Sequence, residues 1–416
     1  MHQVNVGRKS LADYRSIVPR DLMAEIDELG ERLKGRQVLH VNATAFGGVA
    51  EILYTLVPLV TDVGLEAHWQ ILTAPPEFFN VTKSFHNGLQ GHAVEFPVEA
   101  RALYEEVCRA NAAELTRPYD FVVIHDPQPL AMRDFVTRSQ DRSTWWIWRC
   151  HIDTSTPDQG LYDYLLPSIN RYDAAVYTLA DYVPKGLTVP VREIAPTIDP
   201  LAPKNMQLSA EDATYIVRQF GIDVERPLLV QVSRFDLWKD PLGVVDVYRT
   251  VKAKHPDVQL ALVGSMASDD PEGWDYLERV IAYVGGDPDV FILSNLDNVG
   301  SVEINAFQSH ADVIMQKSTR EGFGLTVSEG LWKGRPTIGS NVGGIPLQIE
   351  DGVTGYLVQS ATECAERCLQ VLADPAKHRA MALLGKETVR RDFLTPRLIR
   401  DDLRLFADLE AGKIGA

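Results

Sequence analysis

The sequence predicts an α/β protein built from two doubly wound, parallel-sheet domains, and three observations carry that prediction. Short apolar runs alternate with amphipathic stretches along most of the chain, the pattern of repeated strand–helix units. The alternation breaks at the proline-bounded segment Ala195-Pro196-Thr197-Ile198-Asp199-Pro200-Leu201-Ala202-Pro203 and then resumes. The chain's 416 residues also exceed the roughly 250–300 at which single cores stop growing, so two cores are expected.

The elements follow in order. Residues 1–35 read as a charged, helical extension with no assignable chemistry. Strands are predicted at Gln37–Asn42, Ala67–Leu72, Phe121–His125, Trp145–Cys150 and Ala174–Tyr177, with helices such as Val49–Val63 and Ala102–Leu115 between them. After the proline-rich connection a second series runs Leu228–Val232, Gln259–Val263, Val290–Leu293, Val313–Gln316, Thr337–Gly339 and Gly355–Val358. Such short, continuously apolar strands suit a sheet buried on both faces. Helices over about Lys377–Arg390 and Arg397–Glu410 close the chain. This divides the protein into an N-terminal domain over 1–205, a C-terminal domain over 206–395 and a last helical segment over 396–416.

Composition narrows the function. Hydrophobic residues make up 45% and charged residues 24%, ordinary values for a globular protein. A formal net charge of −16 argues against a nucleic-acid or anionic-membrane partner, while leaving room for a local basic pocket. No run reaches the roughly 18–20 apolar residues of a membrane span, and Met1-His2-Gln3-Val4-Asn5 begins no secretory apolar region, so a cytoplasmic location is expected. Cys108 and Cys150 are isolated. Cys364 and Cys368 lack further ligands nearby and read as small buried apolar residues, and His86, His92 and His310 have no metal-ligand spacing.

Chemistry concentrates in Ser318-Thr319-Arg320-Glu321-Gly322-Phe323-Gly324-Leu325-Thr326-Val327-Ser328-Glu329, where two carboxylates eight positions apart flank a glycine pair opening an apolar helix. Free N–H groups at such a helix start attract an anion, and a neighbouring carboxylate accepts hydrogen bonds from hydroxyls. The plainer reading makes Glu321 a first-turn acid and Glu329 a solvated helical residue. Ser233-Arg234-Phe235-Asp236-Leu237-Trp238-Lys239 shifts the balance, because its two cations follow the predicted strand Leu228–Val232. Ligands of open α/β sheets gather beyond the carboxyl ends of strands, where Arg234 and Lys239 would neutralise a diphosphate leaving group. Phosphate and polyol together indicate a sugar nucleotide.

Arg-x4-Lys followed by Glu-x7-Glu resembles the nucleotide-sugar-dependent retaining glycosyltransferases of family 4, with the GT-B fold of two Rossmann-like domains facing a central cleft. Gly47-Gly48-Val49-Ala50-Glu51, Ile124-His125-Asp126-Pro127-Gln128-Pro129 and Trp148-Arg149-Cys150-His151-Ile152-Asp153 extend the similarity across most of the chain and most resemble the trehalose-forming, nucleoside-diphosphate-glucose-dependent branch. One departure stands out: that branch usually shows three glycines before Val-Ala-Glu, whereas Phe46 precedes only two here.

The resemblance implies reversible transfer of glucose from ADP-glucose or UDP-glucose to glucose, giving α,α-trehalose with retention of configuration. It makes Glu321, Arg234, Lys239, Asp126 and His151 the candidate catalytic residues. Gly47, Gly48, Gly322, Phe323, Gly324, Leu325 and Glu329 would bind substrate beside Arg234, Lys239 and Glu321. Asp126 would accept from the acceptor sugar's hydroxyl and His151 would touch the donor sugar or its phosphate side. Glu329 would hold the ribose. The bland alternatives are a turn aspartate before Pro127, a core histidine and a tight Gly47-Gly48 turn. No dedicated cofactor is implied; with no Asp-x-Asp motif, Mg2+ would act only by neutralising the diphosphate. A homodimer is the expected assembly, and the last helix would cross back onto the first domain. A trehalose phosphorylase or other sugar transferase on this fold, a sugar-nucleotide 2-epimerase and a non-catalytic sugar-binding module remain alternatives.

Overall fold

The computed structural model describes residues 1–137, 144–266 and 271–413. The chain forms two compact units, residues 1–197 together with 395–416, and residues 198–394. The change of unit therefore precedes the 205/206 boundary of the sequence reading. Residues 198–205 pack with the second unit, where Asn205 accepts hydrogen bonds from the indole of Trp332 and the ammonium of Lys333.

In the first unit a seven-stranded sheet has the order β1-β3-β2-β4-β5-β6-β7. Its strands are β1 (His2–Gln3), β2 (Gln37–Asn42), β3 (Glu66–Ile71), β4 (Phe121–His125), β5 (Trp145–Arg149), β6 (Ala174–Tyr177) and β7 (Val191–Glu193). All pairs are parallel except β1 with β3. The sequence pattern misses β1 and β7 because two and three residues at the sheet edges are too short to show a period.

One face of this sheet is covered by helices Pro76–Leu89, Val98–Ala113 and Gln159–Ile169, whose Phe78, Phe85, Tyr104, Leu161 and Leu165 join the core. Helices Arg20–Arg32, Gly48–Asp62 and Thr395–Glu410 pack together, burying Ile26, Leu56 and Phe406. The N-terminal extension is thus part of the core.

The second unit holds six parallel strands in the order β10-β9-β8-β11-β12-β13. They are β8 (Leu228–Val232), β9 (Gln259–Val263), β10 (Val290–Leu293), β11 (Val313–Gln316), β12 (Thr337–Ser340) and β13 (Tyr356–Val358). Alternation along β8 sends Leu229 into the core on one face and Leu228, Val230 and Val232 into the core on the other. Burial on both sides explains the uninterrupted apolar runs. Cys364 and Cys368 are free thiols within one of these cores. Among the described residues no helix is long and apolar enough to cross a membrane.

Each sheet has one topological switch point, where the connections turn in opposite directions: between β2 and β4 in the first unit, and between β8 and β11 in the second. Open α/β sheets build their sites beyond the carboxyl ends of such strands.

Candidate active site

The second unit's switch point brings Lys239 and Glu321 together. Lys239 lies in a short 3-10 turn after β8, Leu237–Lys239, capped by Asp236, whose Oδ1 accepts from the Lys239 N–H at 3.0 Å. Its ammonium donates to Glu321 Oε2, which also accepts from Ser318 Oγ at 3.0 Å and more weakly from Gln316 Nε2 at 3.4 Å. The carboxylate is nearly buried, at 7% exposure, and in low dielectric such charge-assisted bonds hold it firmly.

Two glutamines at or next to the ends of otherwise apolar strands organise this site. Gln231 of β8 accepts from the Lys317 N–H at 2.9 Å and donates to the Lys239 carbonyl at 2.8 Å. Gln316 of β11 donates to Ser318 and accepts from Thr326 Oγ1 at 2.7 Å. Neither was singled out in the sequence, although a buried amide in a Val/Ile/Leu strand was the available signal. Lys317 adds a second ion pair, with Asp240. Arg234 turns elsewhere: its side chain is 60% exposed and pairs with Asp236 at 2.9 Å, not with Glu321.

The Gly322–Leu325 stretch forms the start of helix Leu325–Trp332. Gly324 has φ +84, left-handed space that glycine enters without cost, and a Cβ there would meet the Glu321 side chain at 3.2 Å. Gln348 Nε2 donates to the Phe323 carbonyl at 2.6 Å, anchoring the loop.

Glu329 is no solvated helix residue. It is 1% exposed, with Oε1 on Lys204 at 2.9 Å and Oε2 accepting from Gln308 at 3.0 Å. Burial pushes its pKa up, but Lys204 and Lys333 outweigh that and hold it below the usual carboxylate range. Burial also brings the neighbouring Lys333 ammonium down to about 7, against the attraction of Glu329. Lys204 lies in the interdomain segment and carries no pattern that marks it in sequence.

The first unit's switch point is built differently. Asp126 follows β4 at φ +61, a left-handed conformation that aspartate tolerates better than most residues. The turn is pinned by the Asp126 N–H on the Arg149 carbonyl at 2.9 Å, by the Trp148 indole on the Asp126 carbonyl at 3.0 Å, and by the His151 N–H on Asp126 Oδ1 at 2.8 Å. Burial raises the carboxyl pKa to about 7, against the His151 N–H and Arg149, which pull it down.

His151 belongs to a chain the sequence reading did not find. His40 Nδ1 lies 3.0 Å from His125 Nε2, and His125 Nδ1 lies 3.0 Å from His151 Nε2. His40 and His125 are each 1% exposed on the central strands β2 and β4, while His151 is only partly buried. Burial, reinforced by the Arg149 cation, lowers His40 to about 3; burial together with the neighbouring rings and Arg149 keeps His125 well below its usual value. His151 is lowered by burial and Arg149 as well. Arg149 itself is buried against Asp402 of the last helix at 3.0 Å. Among the described residues no three His, Cys, Asp or Glu side chains converge to hold a metal.

Gly47 precedes helix Gly48–Asp62 at φ +90, and Phe46 beside it is 83% exposed. Gly47, Gly48, Asp126 and His151 all follow strands of the first unit, whereas Arg234, Lys239, Glu321 through Leu325 and Glu329 belong to the second.

The UDP-forming α,α-trehalose-phosphate synthase of Burkholderia xenovorans shares this fold, with a TM-score of 0.72 and 16% identity over 90% of this chain and 99% of that one. Sucrose-phosphate synthase of Thermosynechococcus elongatus superposes with a TM-score of 0.70 and 18% identity, over 91% of this chain and 100% of that one. A model of the group 1 glycosyl transferases matches residues 212–387. Fold and match define the class: a glycosyltransferase with the GT-B fold.

A model of the trehalose synthase N-terminal domain matches residues 40–184. The trehalose synthase of Rubrobacter xylanophilus is 59% identical over 414 residues, covering 98% of this chain and 99% of that protein. That of Pyrococcus horikoshii is 46% identical over 392 residues, covering 93% and 94%. The chain belongs to the trehalose synthase family.

Proposed function

We propose that the enzyme reversibly transfers glucose from ADP-glucose or UDP-glucose to free glucose, forming α,α-trehalose and the nucleoside diphosphate with retention of the donor's α configuration. The observation that carries this reading is the Lys239–Glu321 pair at the β8/β11 switch point, beside the N–H groups of Gly322, Phe323 and Gly324. A lysine and an open helix start suit a diphosphate, and a carboxylate suits the hydroxyls of a hexose.

In the proposed step the bond from the anomeric carbon to the β-phosphate oxygen breaks while the acceptor's hydroxyl oxygen bonds on the same face. The hydroxyl's proton passes to the departing phosphate oxygen. Lys239 stabilises the growing negative charge, with Arg234 joining after leaving Asp236. Asp126 accepts a hydrogen bond from another hydroxyl of the acceptor sugar, orienting it, and His151 meets the donor sugar. Glu329 takes the ribose hydroxyls by sharing its bonds to Lys204 and Gln308. A divalent ion would ride on the diphosphate without protein ligands, and a homodimer is the proposed assembly.

The test is to incubate the protein with trehalose and ADP or UDP and assay for nucleotide-glucose and glucose. Nucleotide-dependent release of both supports the reading and identifies the base. Trehalose phosphorylase of Pleurotus pulmonarius is 26% identical over 89% of this chain and 57% of that protein. Release of glucose 1-phosphate from trehalose and phosphate, with no response to nucleotide, replaces the transferase with a phosphorylase.

A further inference from the structure

His40, His125 and His151 come from three adjacent strands or strand ends, and each contact joins Nδ1 of one ring to Nε2 of the next. An N···N contact of 3.0 Å needs one proton between the two nitrogens: two lone pairs repel, and two N–H groups clash. A neutral imidazole carries one N–H and one acceptor. Only two arrangements of the whole chain satisfy both contacts, with all three rings protonated at Nδ1 or all three at Nε2. Reversing one ring alone would leave a buried donor facing a donor, or an acceptor facing an acceptor.

We propose that His40 and His125 are positioning residues that tie the tautomer of His151 to their own, so that its outward nitrogen, Nδ1, cannot change polarity towards the substrate unless the whole chain reverses. Nε2 of His151 is committed to His125, and its backbone N–H to Asp126. Nδ1 is therefore the ring nitrogen left for a ligand. The two inner rings are shut away from water, which would otherwise supply either partner to either nitrogen and let the tautomers mix. Their uncharged state, enforced by burial and by Arg149, keeps a third proton from breaking the alternation. The kinetic consequence rests on the functional reading above; the shared tautomer does not.

Long-range proton–nitrogen correlation NMR on the full-length protein labelled at histidine nitrogen distinguishes the two neutral tautomers, with assignments from single histidine variants. One tautomer shared by His40, His125 and His151 is expected, and a mixed set overturns the proposal. In parallel, His125→Phe keeps a ring of similar size without nitrogen, whereas His125→Gln supplies one acceptor and one donor. The expected result is a fall in kcat of about tenfold or more for His125→Phe, the scale of losing a hydrogen-bond partner behind a functional histidine. The KM for the sugar nucleotide should change far less, and His125→Gln should recover most of the loss at a similar Tm. Unchanged kcat in His125→Phe, or no recovery in His125→Gln, overturns the positioning role. If the wild-type protein transfers no glucose, the transferase reading fails while the NMR result still decides the chain.

Discussion

The two switch points occupy equivalent places in two α/β sheets, yet one presents paired charges and the other groups whose charge burial works against. Beyond β8 and β11 stand the ion pairs Lys239–Glu321 and Lys317–Asp240, with Lys204–Glu329 behind them. Within β2 and β4 and just after β5 stand three imidazoles kept uncharged by burial and the Arg149 cation, with a carboxyl raised to about 7 after β4. The same topology therefore does not dictate the chemistry of the site. Polar residues within and just after these strands do, by deciding whether charge is paired or suppressed as water is excluded. A charged cradle suits the diphosphate of a nucleotide sugar, and imidazoles beside a carboxyl suit the hydroxyls of a hexose.

Removing the cation from the charged site should have the largest effect. Lys239→Ala is expected to lower kcat/KM by about 10²–10³-fold, the scale of losing one preorganised transition-state contact. Glu321→Ala should also abolish most transfer. Full steady-state activity in both would show that the pair is structural and erase the contrast. Next, Lys204→Met leaves Glu329 buried with the Gln308 amide and only the weakly basic Lys333 as a cation, and should cost about 3 kcal/mol of stability by denaturant unfolding. A loss below about 1 kcal/mol would mean that water reaches Glu329 freely.

In the neutral site the test is pH. An ionised Asp126 accepts from a hydroxyl more strongly than a protonated one, so kcat/KM should rise with pH through about 7, and Asp126→Asn should be slower and lack that limb. Stability follows the same shift: the folded state keeps a proton on Asp126 that the unfolded chain releases near pH 4, so Asp126 alone adds stability as pH falls from about 7 towards 4. His40 acts oppositely. The unfolded chain protonates it below about 6.5, whereas the folded state does so only near 3, so stability is lost as pH falls across that window. Asp126→Asn should therefore steepen acid unfolding. The smallest effect is expected at Gly47→Ala, where space is open but φ is +90, for a loss of about 1 kcal/mol with little change at the charged site.

Sequence alone determined the period of the elements and the local motifs. Apolar runs such as Leu228–Val232 specify buried strands because both faces must be covered, and the Gly322/Gly324 pair marks the opening of an apolar helix. The resemblance found the family through the same short segments, Arg234 to Lys239 and Glu321 to Glu329. Tertiary structure decided which of these residues meet and what state they are in. Lys239 and Glu321 are 82 residues apart in the chain and touch only because β8 and β11 are neighbours in the sheet. His40, His125 and His151 form a chain because β2, β4 and β5 lie side by side, and Glu329 is paired because Lys204 packs against it. Strand order and burial are products of the whole chain's packing, so neither the partners of these groups nor their protonation can be read from local spacing.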